Sequence, residues 1–477
     1  MNKRWLLMNP PTGKYIRDTR CQASVDDAFA ISARPPADLA YIAGAIEECG
    51  DRCCIKDYPV QGLTWDDMLM DLSVLEVDYV VINTTMFTFE EDLKVCEACK
   101  GIDQDIVTIA KGAIFYADSI GIMSNYPMLD IVVANDEEES LKEIARAVYD
   151  WNDIDNITYR KGNRITRTKT HVNDTLNLPI PKIDGINHML YRRPDTNEKQ
   201  ATIVVGRGCP GKCIYCVAPM VGGHAARYRE VKEIMAEIRL YYYKYEISNF
   251  YFSADTFTCN HNWVKEFCAE INKLEFKISW LCTARADSIT SDLIKIMKMS
   301  GCWGVSIGIE SGSHYIQKMI KKNLSESVIK SAIDICRNNR IVTLLHFMIG
   351  FPWDSDKTVN DTIKLAKSLK GNIIEFYIAT PLPGTELYEI VKNDSKLTLI
   401  RSPNGLNQNI VTTGTYYLSP ERLTLLRKKA IKSIYYNPMF YAHSLLYIHS
   451  FSQLIRCTIF VVRKIKNIVL QKQRKER

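Results

Sequence analysis

No stretch of the 477 residues reaches the roughly 18 uncharged apolar residues that a membrane-spanning helix needs. The opening MNKRWLLMNPPTGKYIRD has one basic cluster and too short an apolar run for a secretory signal. Both absences predict a cytoplasmic protein. Histidine is scarce, eight in all, and none precedes His171, so no ligand in the first 170 residues can be an imidazole. Cysteine is plentiful, at fifteen. In a reducing compartment those thiols are expected to bind metal or to be buried, not to pair.

The chain is too long for one ordinary core, which predicts two or three domains. Charge divides it. Residues 1–150 hold 13 Lys+Arg against 27 Asp+Glu, a net of −14. The remainder holds 48 against 28, a net of +20, and the two sum to the +6 of the whole. This marks a boundary between two bodies of different surface character.

Within the first 150 residues strand and helix signals alternate. Buried-strand candidates are RWLLMN, CCIKDY, VDYVVINTT, DIVTIAKGA and LDIVVAND, and DLAYIAGAIEECG and EEESLKEIARAVYD carry helical spacing. Apolar strands separated by helices predict an α/β fold with an open parallel sheet of Rossmann-like type. Ligands bind such sheets at the carboxyl ends of the strands. Those ends read NPP (from Asn9), NTTMFTF (from Asn83), KGAIF (from Lys111) and ANDEE (from Ala134).

Residues 151–198 read as a linker containing a hairpin that turns at Gly162-Asn163. From 199 to about 395 the alternation resumes, with ATIVVGRG, NFYFSAD, ISWLCTARAD, GVSIGIESG, VTLLHFMIGFP and IIEFYIATPLPG as strands. Six strand–helix units predict a partial (β/α)6 barrel with its chemistry at the strand C-terminal ends. Residues 396–477 read as a helical C-terminal region with a basic tail.

Three cysteines, Cys209, Cys213 and Cys216, follow the first barrel strand with the spacing C-x3-C-x2-C. An odd number in a reducing compartment argues against a disulfide. A structural zinc site normally has four ligands, and neither a second pair nor a histidine partner lies close in sequence. Three thiolates suit a [4Fe–4S] cluster that leaves one iron open for another molecule. Tyr215 could place a ring beside that loop.

This arrangement resembles the radical S-adenosylmethionine (radical SAM) enzymes. The stretches FSADTFT, WLCTARAD, GIESGS, FMIGFPWDS and PLPGTELY look like motifs of the subfamily with an N-terminal cobalamin-binding domain, and RPPADLAYIAGAIEECG looks like the opening of that domain. The likeness runs from about residue 3 to residue 390. It implies that Cys209, Cys213 and Cys216 hold the cluster and that SAM chelates the open iron. It implies Asp255 at the SAM amino group, Arg285 and Glu310 at the carboxylate and ribose, and Tyr215 with the backbone at Gly350 and Pro381 near the adenine. Each has a plainer alternative: Asp255 as a helix cap, and Arg285–Asp287 as a local ion pair. In R-x-R-S, an element common in the subfamily, Arg227 and Arg229 are present but Glu230 replaces the serine. The plainer reading of those arginines is a contact with phosphate or with the acidic neighbouring domain.

Cobalamin is implied too, with Asn83, Thr84, Thr85, Lys111 and Gly112 lining it. Many cobalamin domains carry D-x-H-x-x-G, whose histidine ligates cobalt from below. Here the segment is IKDYPVQG, with Asp57 and Gly62 but no histidine. Methyltransferase members of the family also lack that histidine.

The resemblance implies an enzyme that methylates an unactivated carbon of a small-molecule or lipid-like substrate, with flavodoxin or ferredoxin as electron donor and no nucleic acid partner. Ring formation or rearrangement is the alternative within the family. A methylthiotransferase is a further one, motivated by Cys21, Cys49, Cys53, Cys54, Cys96 and Cys99, although Asn83-Thr84-Thr85 replaces its usual Asn-Thr-Cys. A non-catalytic cobalamin or cluster sensor is remote, since no DNA-binding or signalling segment is recognisable. In the tail, Ile459, Phe460, Val462, Ile465, Ile468 and Val469 can share one side of a helix, with Arg463, Lys464, Lys466 and Lys472 elsewhere. Such a helix could lie on the inner membrane surface. The competing reading, which is preferred, is a helix capping the barrel.

Overall fold

Strands buried on both faces need helices on both sides, and the first strand, β1 (Arg4–Asn9), is buried at its last five positions. It sits inside a seven-stranded sheet in the computed structural model, which describes residues 2–18, 22–25, 32–146, 150–397, 399, 411, 413–448 and 450–470. Its other parallel members are β2 (Arg52–Asp57), β3 (Tyr79–Asn83), β4 (Val107–Lys111) and β5 (Ile131–Val133). A hairpin, β6 (Ile157–Lys161) and β7 (Arg164–Arg167), continues the sheet antiparallel beside β5, in the order β2-β1-β3-β4-β5-β6-β7. The hairpin is thus an edge of this sheet as well as the start of the connector.

The two-residue side-chain period sorts the core. Trp5, Leu7, Val81, Ile109 and Ile131 point to one face, against the helices Ala37–Glu47 and Glu137–Ala145. Leu6, Met8, Val80, Ile82 and Ala110 point to the other, against Trp65–Leu75 and Lys94–Ile102. That second core also takes in Val217, Val221 and Leu382 from the C-terminal half, so the two halves share packed side chains.

The second sheet contains β8 (Gln200–Val204), β11 (Asn249–Ser253), β12 (Ser279–Ala284), β13 (Cys302–Glu310), β14 (Val342–Ile349) and β15 (Ile373–Ile378). All pairs are parallel, in the order β15-β14-β13-β12-β11-β8. A two-residue ribbon, β9 (Gly206–Arg207) with β10 (Arg227–Tyr228), brackets the cysteine loop. Outward residues such as Phe250, Phe252, Trp280, Ile307, Phe347 and Phe376 pack on the surrounding helices. Most of those helices start at a side-chain cap: Asn260, Thr290, Ser325, Ser355 and Thr385 each accept a first-turn N–H. Such a cap contributes about 1 kcal/mol and fixes where each strand-end loop stops.

No hydrogen-bonded pairing joins β15 to β8. The terminal helix, Phe451–Leu470, borders the barrel interior, and Gln453 donates to Asp195 at 3.1 Å. Of the apolar side expected for this helix, Ile459 and Val462 are exposed. No helix among the described residues is long and apolar enough to cross a membrane. Cys21, Lys472 and the side chains of Phe460 and residues 463–470 fall outside the described residues.

Candidate functional site

The cysteine loop begins at Gly208, whose φ of 88° and proximity to Ala225 leave no room for a side chain: a Cβ would stand 2.0 Å from the Ala225 carbonyl oxygen. The Cys209 amide then donates to the Gly223 carbonyl, and the Cys216 amide to that of Cys213. All three cysteines are half-buried and line a cavity of about 1260 Å³. A methyl at Gly211 would lie 3.2 Å from Cys209 Sγ, 3.9 Å from Cys213 Sγ and 3.7 Å from Arg285 Nη1, so these groups surround one point. Among the described residues no three Cys, His, Asp or Glu side chains close on a single ion position. A lone zinc with metal–sulfur bonds of about 2.3 Å would draw its ligands in tightly. Three thiols spread around one mouth, with a guanidinium beside them to offset thiolate charge, fit a larger cluster.

The expected SAM residues fall into two groups. Tyr215, Asp255, Arg285 and Glu310 line the same cavity as the cysteines. Asp255 Oδ2 accepts the Gly208 amide at 2.8 Å, which ties the second strand end to the cysteine loop. Arg285 forms the local pair, bidentate with Asp287 at 3.0 and 2.7 Å, while Nη1 faces the sulfurs. Glu310 is 6% exposed and accepts from Tyr215 Oη at 3.0 Å and Lys322 Nζ at 3.1 Å. Burial, followed by the Glu310 carboxylate, pushes the Tyr215 phenol well above its ordinary range, so it stays a hydrogen-bond donor. Gly350 and Pro381 sit at the ends of β14 and β15 but are not among the cavity-lining residues; Met348, Thr380 and Leu382 line it there.

The N-terminal strand ends form a second constellation. Asn83, Thr84, Thr85 and Lys111 are all at most 3% exposed. Thr84 Oγ1 donates to the Lys111 carbonyl, and a Cβ on Gly112 would strike Thr84 at 2.3 Å. Asn83 donates to Asn9, and its carbonyl accepts from Arg17, which is paired with the fully buried Asp92. Lys111 is paired with Glu137 at 3.0 Å. Burial opposes its charge, but Glu137 and Asp38 outweigh burial and raise its pKa. Burial pushes Glu137 up to about 7 even so. Pro59 stands where D-x-H-x-x-G has histidine, and Asp57 accepts the hydroxyl of Tyr191 at 2.6 Å. These strand ends hold backbone groups and small hydroxyls that would suit a corrin, and no histidine precedes His171. The N-terminal cysteines are scattered: Cys96 and Cys99 are core residues of one helix, Cys53 and Cys54 are neighbours on β2 that point to opposite faces. Burial pushes the Cys99 thiol up to about 12, as for inert buried cysteine.

Charge across the joint carries residues that periodicity could not reveal. Arg207 grips Glu138 with two bonds, 2.9 and 2.6 Å. Burial pushes Glu138 up, but Arg207 outweighs it and holds the carboxyl low. Arg227 meets Asp136 at 3.1 Å. Arg229 meets Glu237 at 2.7 Å and Tyr41 Oη at 3.2 Å. The arginines of the R-x-R element therefore contact acidic and N-terminal-domain groups, as the plainer reading held. Lys322 and the Ser306–His346 pair inside the barrel carried no sequence signal, because neighbours in space are distant in chain.

Residues 203–366 match the model of the Radical SAM superfamily. The chain is 26% identical over 438 residues to an uncharacterized methyltransferase of Pyrococcus horikoshii, covering 91% of this chain and 92% of that one. It is 24% identical over 372 residues to the anaerobic magnesium-protoporphyrin IX monomethyl ester cyclase of Rubrivivax gelatinosus, covering 74% and 66%. In fold it is similar to the radical S-adenosylmethionine methyltransferase TsrM of Kitasatospora setae, solved with cobalamin and a [4Fe–4S] cluster. That match has a TM-score of 0.70 at 14% identity and covers 99% of this chain and 100% of the other.

Proposed function

We propose that the chain is a radical SAM enzyme, a cobalamin-dependent methyltransferase acting on an unactivated carbon of a mostly apolar small molecule. The observation that carries the proposal is one chamber lined by Cys209, Cys213, Cys216, Asp255, Arg285 and Glu310 with a largely apolar wall, next to an α/β domain that contains no histidine. When bound, the cluster and SAM supply a 5′-deoxyadenosyl radical, and cobalamin supplies a transferable methyl group.

The residues then have separable tasks. Cys209, Cys213 and Cys216 hold the cluster; Arg285, held by Asp287, offsets its charge and reaches the SAM carboxylate. Asp255 accepts the SAM amino group, and Glu310 accepts a ribose hydroxyl while Tyr215 and Lys322 hold its carboxylate in place. Thr84, Thr85, Asn83 and the Lys111-Gly112 backbone would be the N-terminal groups that hold the corrin and its nucleotide tail. The apolar wall would shield the reacting centre from solvent and side reactions. Electrons come from an external flavodoxin or ferredoxin.

Anaerobically reconstituted protein with dithionite and SAM should release 5′-deoxyadenosine, and Cys213→Ala should release none and lose cluster absorbance. A wild-type protein with an intact cluster that releases none would sink the reading. The named cyclase relative favours one second reading, ring formation. Product mass separates the two: methylation adds a CH2 unit to the substrate, and cyclisation does not.

A further inference from the structure

Closed βα barrels are filled by layers of inward side chains; this one is hollow along its length. From β14 the residues Val342, Leu344, His346 and Met348 all border the cavity. Six residue steps at about 3.3 Å make a channel roughly 20 Å long. Small inward residues leave it open: Ser279 and Thr283 on β12, Ser306 and Gly308 on β13. Its volume of about 1260 Å³ is shared, on the reading above, by the cluster, SAM and the substrate. The cysteines and Glu310 occupy only one end, at the strand C-termini.

The other end is bordered by the C-terminal region, where apolar side chains lie beside Arg193, Asp195, Glu198, Lys298 and Arg340. Phe440, Leu445 and Ile448, with Leu454 and Val461 of the terminal helix, face Val342 and Ile373 across the chamber. Midway lies a polar band. Ser306 Oγ and His346 Nε2 are 2.7 Å apart, the His346 ring stacks on Tyr377, and Glu375 is the strand neighbour of His346. The terminal helix turns Leu454, Cys457 and Val461 to the chamber and leaves Phe451, Ile455 and Ile459 exposed on its outer side.

We propose that the substrate is an elongated, mostly apolar molecule with one hydrogen-bonding group about halfway along it. Its tail lies in the lower chamber beneath the terminal helix, and its polar group meets the Ser306–His346 band. The proposal rests on the radical SAM reading only for which end reacts, the one at the cysteines. A free amphiphile and a lipid drawn from a bilayer share this chemistry.

The probe is cis-parinaric acid, a naturally fluorescent polyene fatty acid, added to the full-length reconstituted protein. Wild type should bind it saturably. Leu344→Trp and Val461→Trp, on different elements, should each weaken binding by about tenfold or more while cluster absorbance and melting temperature stay near wild type. Should Leu344→Trp fail to fold, Val461→Trp decides. No saturable binding by wild type, or unchanged binding in the folded variants, overturns the proposal. Probe presented in phosphatidylglycerol vesicles identifies the source: faster uptake than from free monomer means a bilayer, slower uptake a soluble amphiphile. SAM cleavage is scored separately, so probe binding without 5′-deoxyadenosine release would keep the channel and reject the radical reading.

Discussion

Glu310 lies in left-handed backbone, φ 67°, where a β-bulge shifts the register between β13 and β14. Non-glycine residues are held there only when their surroundings over-determine them, and such positions cluster at functional sites. Gly308 is part of that constraint, since a Cβ there would lie 2.4 Å from Glu310 Oε1 and 3.2 Å from Lys322 Nζ. Gly308→Ala should therefore push the carboxylate away without touching the cysteines. The expected result is SAM affinity lower by about tenfold, some 1.4 kcal/mol, with iron content unchanged; titration calorimetry against SAM checks it. Wild-type affinity in that variant would remove Glu310 from the SAM site. Asp354, 1% exposed under the β14 strand end, is a pH-sensitive counterpart. Burial pushes its carboxyl up to about 6, against the pull of Thr358 and the Gly350 and Phe351 amides. Because the folded pKa lies above the unfolded one, ionisation costs the folded state, and stability should fall as pH rises from about 4 to about 6. The full effect is at most about 3 kcal/mol. Asp354→Asn should flatten that part of the curve in melts at pH 4.5 and 7.

Arg229, on the segment after the β9–β10 ribbon, ties three elements together. It reaches Glu237 on the helix Val231–Tyr245, Tyr41 on the helix Ala37–Glu47 and the carbonyl of Val204 at the end of β8. Arg229 and Glu237 side chains are both 3% exposed. Removing one partner leaves a buried charge, which costs about 3–5 kcal/mol, whereas replacing both with apolar groups is often neutral. Arg229→Met should lower stability by that amount in urea unfolding, and adding Glu237→Leu should restore most of it. The elements themselves were legible because each strand repeats its apolar pattern every two residues: Phe250 and Phe252 outward, Tyr251 inward. The hairpin was legible from Gly162-Asn163, but its place beside β5 was not, since antiparallel pairing at a sheet edge is a tertiary choice.

Across the whole molecule, the acidic first domain meets the basic second through Asp136 and Glu138 with Arg227 and Arg207. Val217, Val221 and Leu382 extend one core through the joint. Two bodies coupled through buried charge and shared packing should melt together. Calorimetry should show one transition; two transitions well separated in temperature would mean that the joint contributes little. The terminal helix belongs to this scale too: its residues Leu454, Cys457 and Val461 border the barrel channel.

By itself the sequence determined the alternation of strands and helices, the parallel sheets, the cysteine spacing and the missing histidine. These are local patterns: period, turn residues and ligand spacing act over a few positions. Only the tertiary structure decided that Tyr215, Lys322 and Glu310 meet, that Arg207 grips Glu138, and that the barrel is hollow to its far end. Those outcomes depend on strand register and on which inward side chains face one another. Register is fixed by packing of the whole sheet, and no short window of residues contains it.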